Sequence, residues 1–141
     1  MSEKNEKSRK IVLITGAARR LGNATALKLH SLNMDIIVHY NNSSDEADKL
    51  VSKMNLKRQN SAISVKFNLR DFANYKNILS ALDEKWKNID VLINNASTFY
   101  PTNIDLATTD EWDDLHDVNL KSPFFLSKLF HSSLKKNKGC I

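Results

Sequence analysis

Asn94 to Thr102 read NNASTFYPT and follow directly on the apolar run VLI. Two carboxamides and two hydroxyls at a strand end can hydrogen-bond a polar ligand. The adjacent rings of Phe99 and Tyr100 can stack on a flat heteroaromatic group or simply plug the end of a sheet. A second polar interruption, TGAARRLG from Thr15 to Gly22, follows the run IVLI. A glycine there lets the backbone turn tightly, and the helix start that follows offers unpaired N–H groups to a diphosphate. Neither G-x-G-x-x-G nor a Walker loop is present, since Gly22 is followed by Asn23 rather than lysine.

The second apolar run ends HYNNSS, His39 to Ser44, with no carboxylate before Asp45. An enzyme that prefers NAD holds the ribose diol with an acid about 20 residues beyond the glycine loop. Arg20 stands beside that ribose position, where a guanidinium can pair with a 2′-phosphate. The pattern favours NADP over NAD; the alternative is that Arg20 is a surface residue with no ligand. His30, His39, His116 and His131 have no paired ligand spacing, so no metal is expected.

Four aliphatic runs must position these residues: IVLIT (11–15), DIIVHY (35–40), AISVKF (62–67) and VLINNA (91–96). Near-continuous apolar runs suit strands covered on both faces of a parallel sheet. Helical spacings lie between them: Leu21, Thr25, Leu29 and Leu32; Ala47, Leu50, Val51 and Met54; Ile78, Leu79, Leu82 and Trp86. A longer helix carries Trp112, Leu115, Val118, Leu126 and Leu129, with Pro123 bending or restarting it. Trp86, Trp112 and Cys140 read as core residues. SSDEADK from Ser43 reads as a helix start.

The alternation predicts an α/β fold, a Rossmann-type doubly wound parallel sheet truncated at the start of its fifth strand, GCI. Sheet order 3-2-1-4 would leave the fourth strand as a bare edge, so poor solubility or self-association is expected. The chain has 141 residues, 41% of them hydrophobic, and reads as a polar N-terminal tail over 1–10 and one domain over 11–141.

The formal charge of +5 raises the question of nucleic acid, but the basic residues at both ends have no interleaved aromatics. No nucleic-acid or membrane partner is expected, because no apolar run approaches the ~18 residues of a membrane span. The opening MSEKNEKSRK lacks a signal-peptide core and the single cysteine suits a reducing compartment, so a cytoplasmic location is expected.

TGAARRLG, NNAS and VNLKSPFF together resemble the short-chain dehydrogenase/reductase family over essentially residues 11–141. Arg20 in place of the loop's middle glycine, and Ser97 in place of a glycine, are similar to the pteridine reductase branch. The resemblance implies NADPH as cofactor and a pterin, biopterin- or dihydrofolate-like, as substrate. It implies cofactor contacts from Gly16, Arg20, Leu21, Gly22, Tyr40, Asn41, Asn42, Ser43, Asn68, Leu69, Asn95, Ala96 and Ser97. Ser97 would also reach the pterin, and Phe99 would stack on it. Asn68 stands where the family has an aspartate that accepts from the adenine amino group, and Leu69 would add a backbone contact.

Asn119 matches an asparagine that holds a water in the proton relay; it could equally mark a helix irregularity. The family's general-acid tyrosine and its lysine lie on or beyond the fifth strand. Tyr40, Tyr75 and Tyr100 are followed four residues on by Ser44, Leu79 and Ile104. The chain alone is therefore expected to be an inactive part of a homo-oligomeric parent, dimer or tetramer. The alternatives are a reductase of the same family acting on a β-ketoacyl carrier or a sugar, and a non-catalytic dinucleotide-binding or interaction protein.

Overall fold

The computed structural model describes residues 9–141. Of the tail expected over 1–10, only Arg9 and Lys10 lie within the described residues, and both are tied to the second strand. Arg9 Nε donates to the Asp35 carboxylate at 2.8 Å, and the Lys10 carbonyl accepts from Asp35 N–H at 2.8 Å.

The order is β1 (Ile11–Ile14), α1 (Arg20–Ser31), β2 (Asp35–Tyr40), α2 (Ser44–Lys57), β3 (Ala62–Lys66), a 3-10 turn (Phe72–Asn74), α3 (Tyr75–Ser80), α4 (Glu84–Lys87), β4 (Val91–Ile93), α5 (Thr109–His116), a π turn (Asp117–Lys121) and α6 (Ser122–Asn137). The strands form one parallel sheet in the order β3-β2-β1-β4, a Rossmann-type arrangement. Beyond β4, Cys140 forms a parallel bridge to Val91, so the edge is partly covered.

Period-2 alternation divides the aliphatic strands between two cores. Ile11, Leu13, Ile37 and Leu92 face Tyr75, Ile78, Trp86, Leu126 and Phe130 on one side. Val12, Ile14, Ile36 and Val38 face Ala26, Ala47, Leu50 and Met54 on the other. The α2 stripe lies as its spacing predicts, except that Val51 is half-buried.

Four expectations are corrected. The buried stripe of α1 is Gly22, Ala26 and His30, while Leu21 and Leu32 are exposed. Gly22 and Ala26 let this helix approach the sheet closely, while Leu27 and Leu29 pack at the margin of the core. The single helix expected through Ile78 and Trp86 is two, because Asp83 adopts extended backbone between α3 and α4. Trp112 is 64% exposed and stacks on His116 at 3.9 Å rather than entering a core. Cys140 contributes backbone to the sheet edge, but its residue is exposed.

The long helix is interrupted before Pro123. Ser122 N–H closes on Asp117 O, five residues back rather than four. Proline has no N–H to give the Asn119 carbonyl, and its ring crowds that same carbonyl in a regular helix. The wider turn accommodates both constraints.

At the amino end of β2 the buried Asp35 carboxylate receives Arg9 and Lys85 at 2.8 Å each and Arg58 at 3.4 Å. Burial alone would raise this carboxyl. Hydrogen bonds from Arg9 and Lys85, with their charges, outweigh it and hold Asp35 below the ordinary value. One carboxylate thus joins β2 to the segment before β1, to the end of α2 and to α4.

Candidate functional site

At the carboxyl ends of β1, β2 and β4 lies an open cleft of about 630 Å³. Gly16, Arg20, Leu21, Gly22, Tyr40, Asn41, Asn42, Ser43, Asn95, Ala96 and Ser97 line it, with Ala18 and Arg19. These segments are far apart in sequence, and the sheet order 2-1-4 brings them together.

The glycines are steric requirements. Gly16 has φ +63°, and a Cβ there would lie 3.1 Å from Ala96. A Cβ on Gly22 would lie 2.5 Å from the Gly16 carbonyl oxygen and 2.7 Å from Asn95 Nδ2. The first turn of α1 therefore sits directly against the loop, and Arg20, Leu21 and Gly22 line the cleft.

Thr15, which the sequence marks only as the loop's first letter, is the organiser of this arrangement. Its Oγ1 accepts the N–H groups of Asn95 and Ala96 at 3.0 Å each, and its own N–H donates to Ile93 O at 3.0 Å. Asn95 Nδ2 donates to the carbonyls of Thr15 at 2.9 Å and Gly16 at 3.3 Å. The Asn95 carboxamide thus shapes the wall of the cleft. Asn94 Oδ1 beside it is buried with no hydrogen-bond partner among the described residues.

His39 also escaped the sequence reading, which weighed it only as a metal ligand. Its Nδ1 accepts Gly16 N–H at 3.0 Å, and Nε2 lies 3.0 Å from Phe67 O. A carbonyl can only accept, so the proton sits on Nε2 and the neutral tautomer is fixed. Burial lowers the His39 pKa to about 4, against a smaller upward pull from the Phe67 carbonyl. Among the described residues no group of three or more His, Cys, Asp or Glu could hold a metal.

The two loop arginines are in different states. Arg19 pairs with Glu46 of α2 at 2.8 Å. Arg20 has no ion-pair partner among the described residues, and it holds φ +50° at the position where the loop could carry a glycine. Among the described residues no carboxylate lines the cleft.

Asn68 and Leu69 lie outside this lining. Asn68 Oδ1 accepts Arg70 N–H at 3.0 Å and the residue borders a separate cavity of about 290 Å³ beside β3. Leu69 is buried and its carbonyl accepts from Tyr75 Oη at 2.7 Å. Phe99 is 86% exposed and stands outside the cleft lining, whereas Tyr100 Oη donates to Glu111 O at 3.3 Å. Both carboxamide atoms of Asn119 are taken by Thr98: Oδ1 accepts its N–H at 3.0 Å and Nδ2 donates to its carbonyl at 2.8 Å.

A parallel sheet with a glycine loop and a helix start at its carboxyl edge defines a Rossmann-type α/β protein. Residues 10–141 match the family model described as short chain dehydrogenase, and the chain belongs to the short-chain dehydrogenase family, a family of oxidoreductases. Pteridine reductase 1 of Leishmania tarentolae is 31% identical over 85% of this chain and 52% of its own length. The 3-oxoacyl-[acyl-carrier-protein] reductase of Synechocystis is 31% identical over 92% of this chain and 52% of its own. That of Staphylococcus aureus (strain Mu50) is 29% identical over 96% and 55%. The chain spans about half the length of these curated relatives.

Proposed function

We propose that the protein is the dinucleotide-binding part of an NADPH-dependent reductase that delivers hydride to a pterin. The observation that carries the cofactor reading is the charge of the cleft: among the described residues Arg20 has no ion-pair partner and no acid lines the cleft to hold a ribose diol, while Tyr40 to Ser43 bring hydroxyls and carboxamides. The start of α1 at the open cleft offers a place for a diphosphate against the backbone. Bound NADPH would supply the hydride. The chain's own part is to anchor the 2′-phosphate through Arg20 and Ser43 and to present Ser97 beside the nicotinamide end.

The exposed Phe99 ring, three residues beyond the cleft wall at Ala96, supports a flat heteroaromatic substrate. The 3-oxoacyl carrier reductases, similar at nearly the same identity, favour a second reading, a β-ketoacyl thioester. None of the chain's three tyrosines has a lysine four positions on, so the Tyr–Lys proton donor that the resemblance implies is not among these 141 residues. The 141-residue chain alone is expected to bind dinucleotide without turnover.

Titration with NADPH and NADH tests the cofactor reading: NADPH should bind at least tenfold more tightly, and preference for NADH or binding of neither would end it. In the complete enzyme, Phe99→Ala should depress pterin turnover while sparing NADPH affinity. Unchanged pterin kinetics, with strong activity on a β-ketoacyl thioester, would move the assignment to the second reading.

A further inference from the structure

Tyr75 opens α3 with its residue buried, and the cleft makes no direct use of it. Its hydroxyl lies 2.7 Å from the Leu69 carbonyl and 2.8 Å from Ser122 Oγ. The single phenolic proton must go to the carbonyl, so Ser122 is the donor to Tyr75. Burial pushes the Tyr75 phenol up from its ordinary value, which keeps that proton in place.

Ser122 is buried at the start of α6, and its backbone N–H closes the π turn on Asp117 O. Within that turn Asn119 holds Thr98 through both its N–H and its carbonyl. Hydrogen bonds therefore run from Leu69 through Tyr75 to Ser122, the backbone of the π turn joins Ser122 to Asn119, and hydrogen bonds resume from Asn119 to Thr98. A solvent-side link joins the same regions: Arg70 Nε and Nη2 approach Asp114 Oδ1 at 2.5 Å each, and the α5 carbonyl of Glu111 receives Tyr100 Oη.

We propose that Tyr75 and Ser122 are positioning residues that tie the Asn68–Leu69 segment after β3 to the Thr98–Phe99 segment after β4, so that the two ends of the sheet's carboxyl edge are held in one frame. Naming those ends adenosine and substrate rests on the proposed function; the frame itself does not. A tyrosine serving only to fill space could be phenylalanine, whereas this hydroxyl is engaged on both sides, within the protein and away from solvent. Losing it would leave a buried carbonyl and a buried serine hydroxyl unpaired.

The test is Tyr75→Phe, with Ser122→Ala as the second variant should the first fail to fold. Amide hydrogen exchange is read at Asp71, which donates to Asn68 O, and at Thr98, which donates to Asn119 Oδ1. Affinities for NADPH, adenosine 2′,5′-bisphosphate and reduced nicotinamide mononucleotide are measured alongside. Exchange should rise several-fold at both amides. NADPH and the bisphosphate should weaken by a common factor of about 3–10, as loss of one hydrogen bond gives, and the mononucleotide should weaken in the same direction. A merely structural role would lower the melting temperature and leave Thr98 exchange and the bisphosphate affinity alone; either of these staying at the wild-type value overturns the proposal. Should the wild-type protein bind neither adenosine ligand, the NADPH reading falls, and Thr98 exchange alone decides the frame.

Discussion

Thr15 and Asn95 hold each other reciprocally: Thr15 Oγ1 accepts Asn95 N–H at 3.0 Å, and the Asn95 carboxamide donates to Thr15 O at 2.9 Å. They lie 80 positions apart in the chain, and their bonds close the glycine loop onto the end of β4. Thr15→Val keeps the shape and removes the acceptor, orphaning the N–H groups of Asn95 and Ala96. It should cost about 2–4 kcal/mol in denaturant unfolding and weaken NADPH. Thr15→Ser should recover most of both.

Acid should act on the same wall through His39. Its native pKa of about 4 lies below the ordinary 6.5, so the unfolded chain binds more protons between those values. Stability is therefore complete above about pH 6.5 and falls as the pH drops toward 4, by on the order of 3 kcal/mol in all. Urea midpoints between pH 7.5 and 4.5 read this directly. His39→Gln should flatten that slope, while starting from lower stability.

Arg20 sits in the left-handed region at φ +50°, where an L side chain costs roughly 1–2 kcal/mol. Arg20→Gly should raise the melting temperature or leave it unchanged. NADPH should weaken by about tenfold or more, with NADH nearly unaffected, since one charge-assisted contact is lost. Parallel thermal melts and two titrations settle it.

Asp35 should give the opposite profile. Asp35→Asn leaves Arg9, Arg58 and Lys85 around a neutral amide and should cost about 1.5–3 kcal/mol. The residue is at the far end of β2 from Tyr40, so NADPH affinity should stay at the wild-type value in a binding titration.

The sheet was legible because buried parallel strands are written as aliphatic runs, and the order of runs and helical spacings dictates the crossovers. Side-chain faces were less legible. In α1 the leucines mark the wrong stripe, since Gly22 and Ala26 bury themselves by being small, which hydropathy counting does not register. Trp112 misled for the converse reason: a large ring on a helix need not find a core when a neighbour such as His116 can stack on it. In the site, the glycine loop and the polar ends of β2 and β4 stood out as polar interruptions after aliphatic runs, and the resemblance, not the spacing, named their residues as cofactor contacts. The roles of Thr15, His39 and Tyr75 could not be read, because their partners are supplied by other elements and a hydroxyl or imidazole does not announce its acceptor.

The five-residue closure at Asp117–Ser122 also sets an angular constraint on the second half of the chain. Each residue advances a helix by about 100°, so the surplus residue turns everything after it by that amount relative to everything before. Asn119 and the inward row of Leu126, Phe130 and Leu134 are correctly aimed only with that offset. Excising one position between 117 and 121 would yield a smoother spiral with either its amide or its apolar row swung out of alignment.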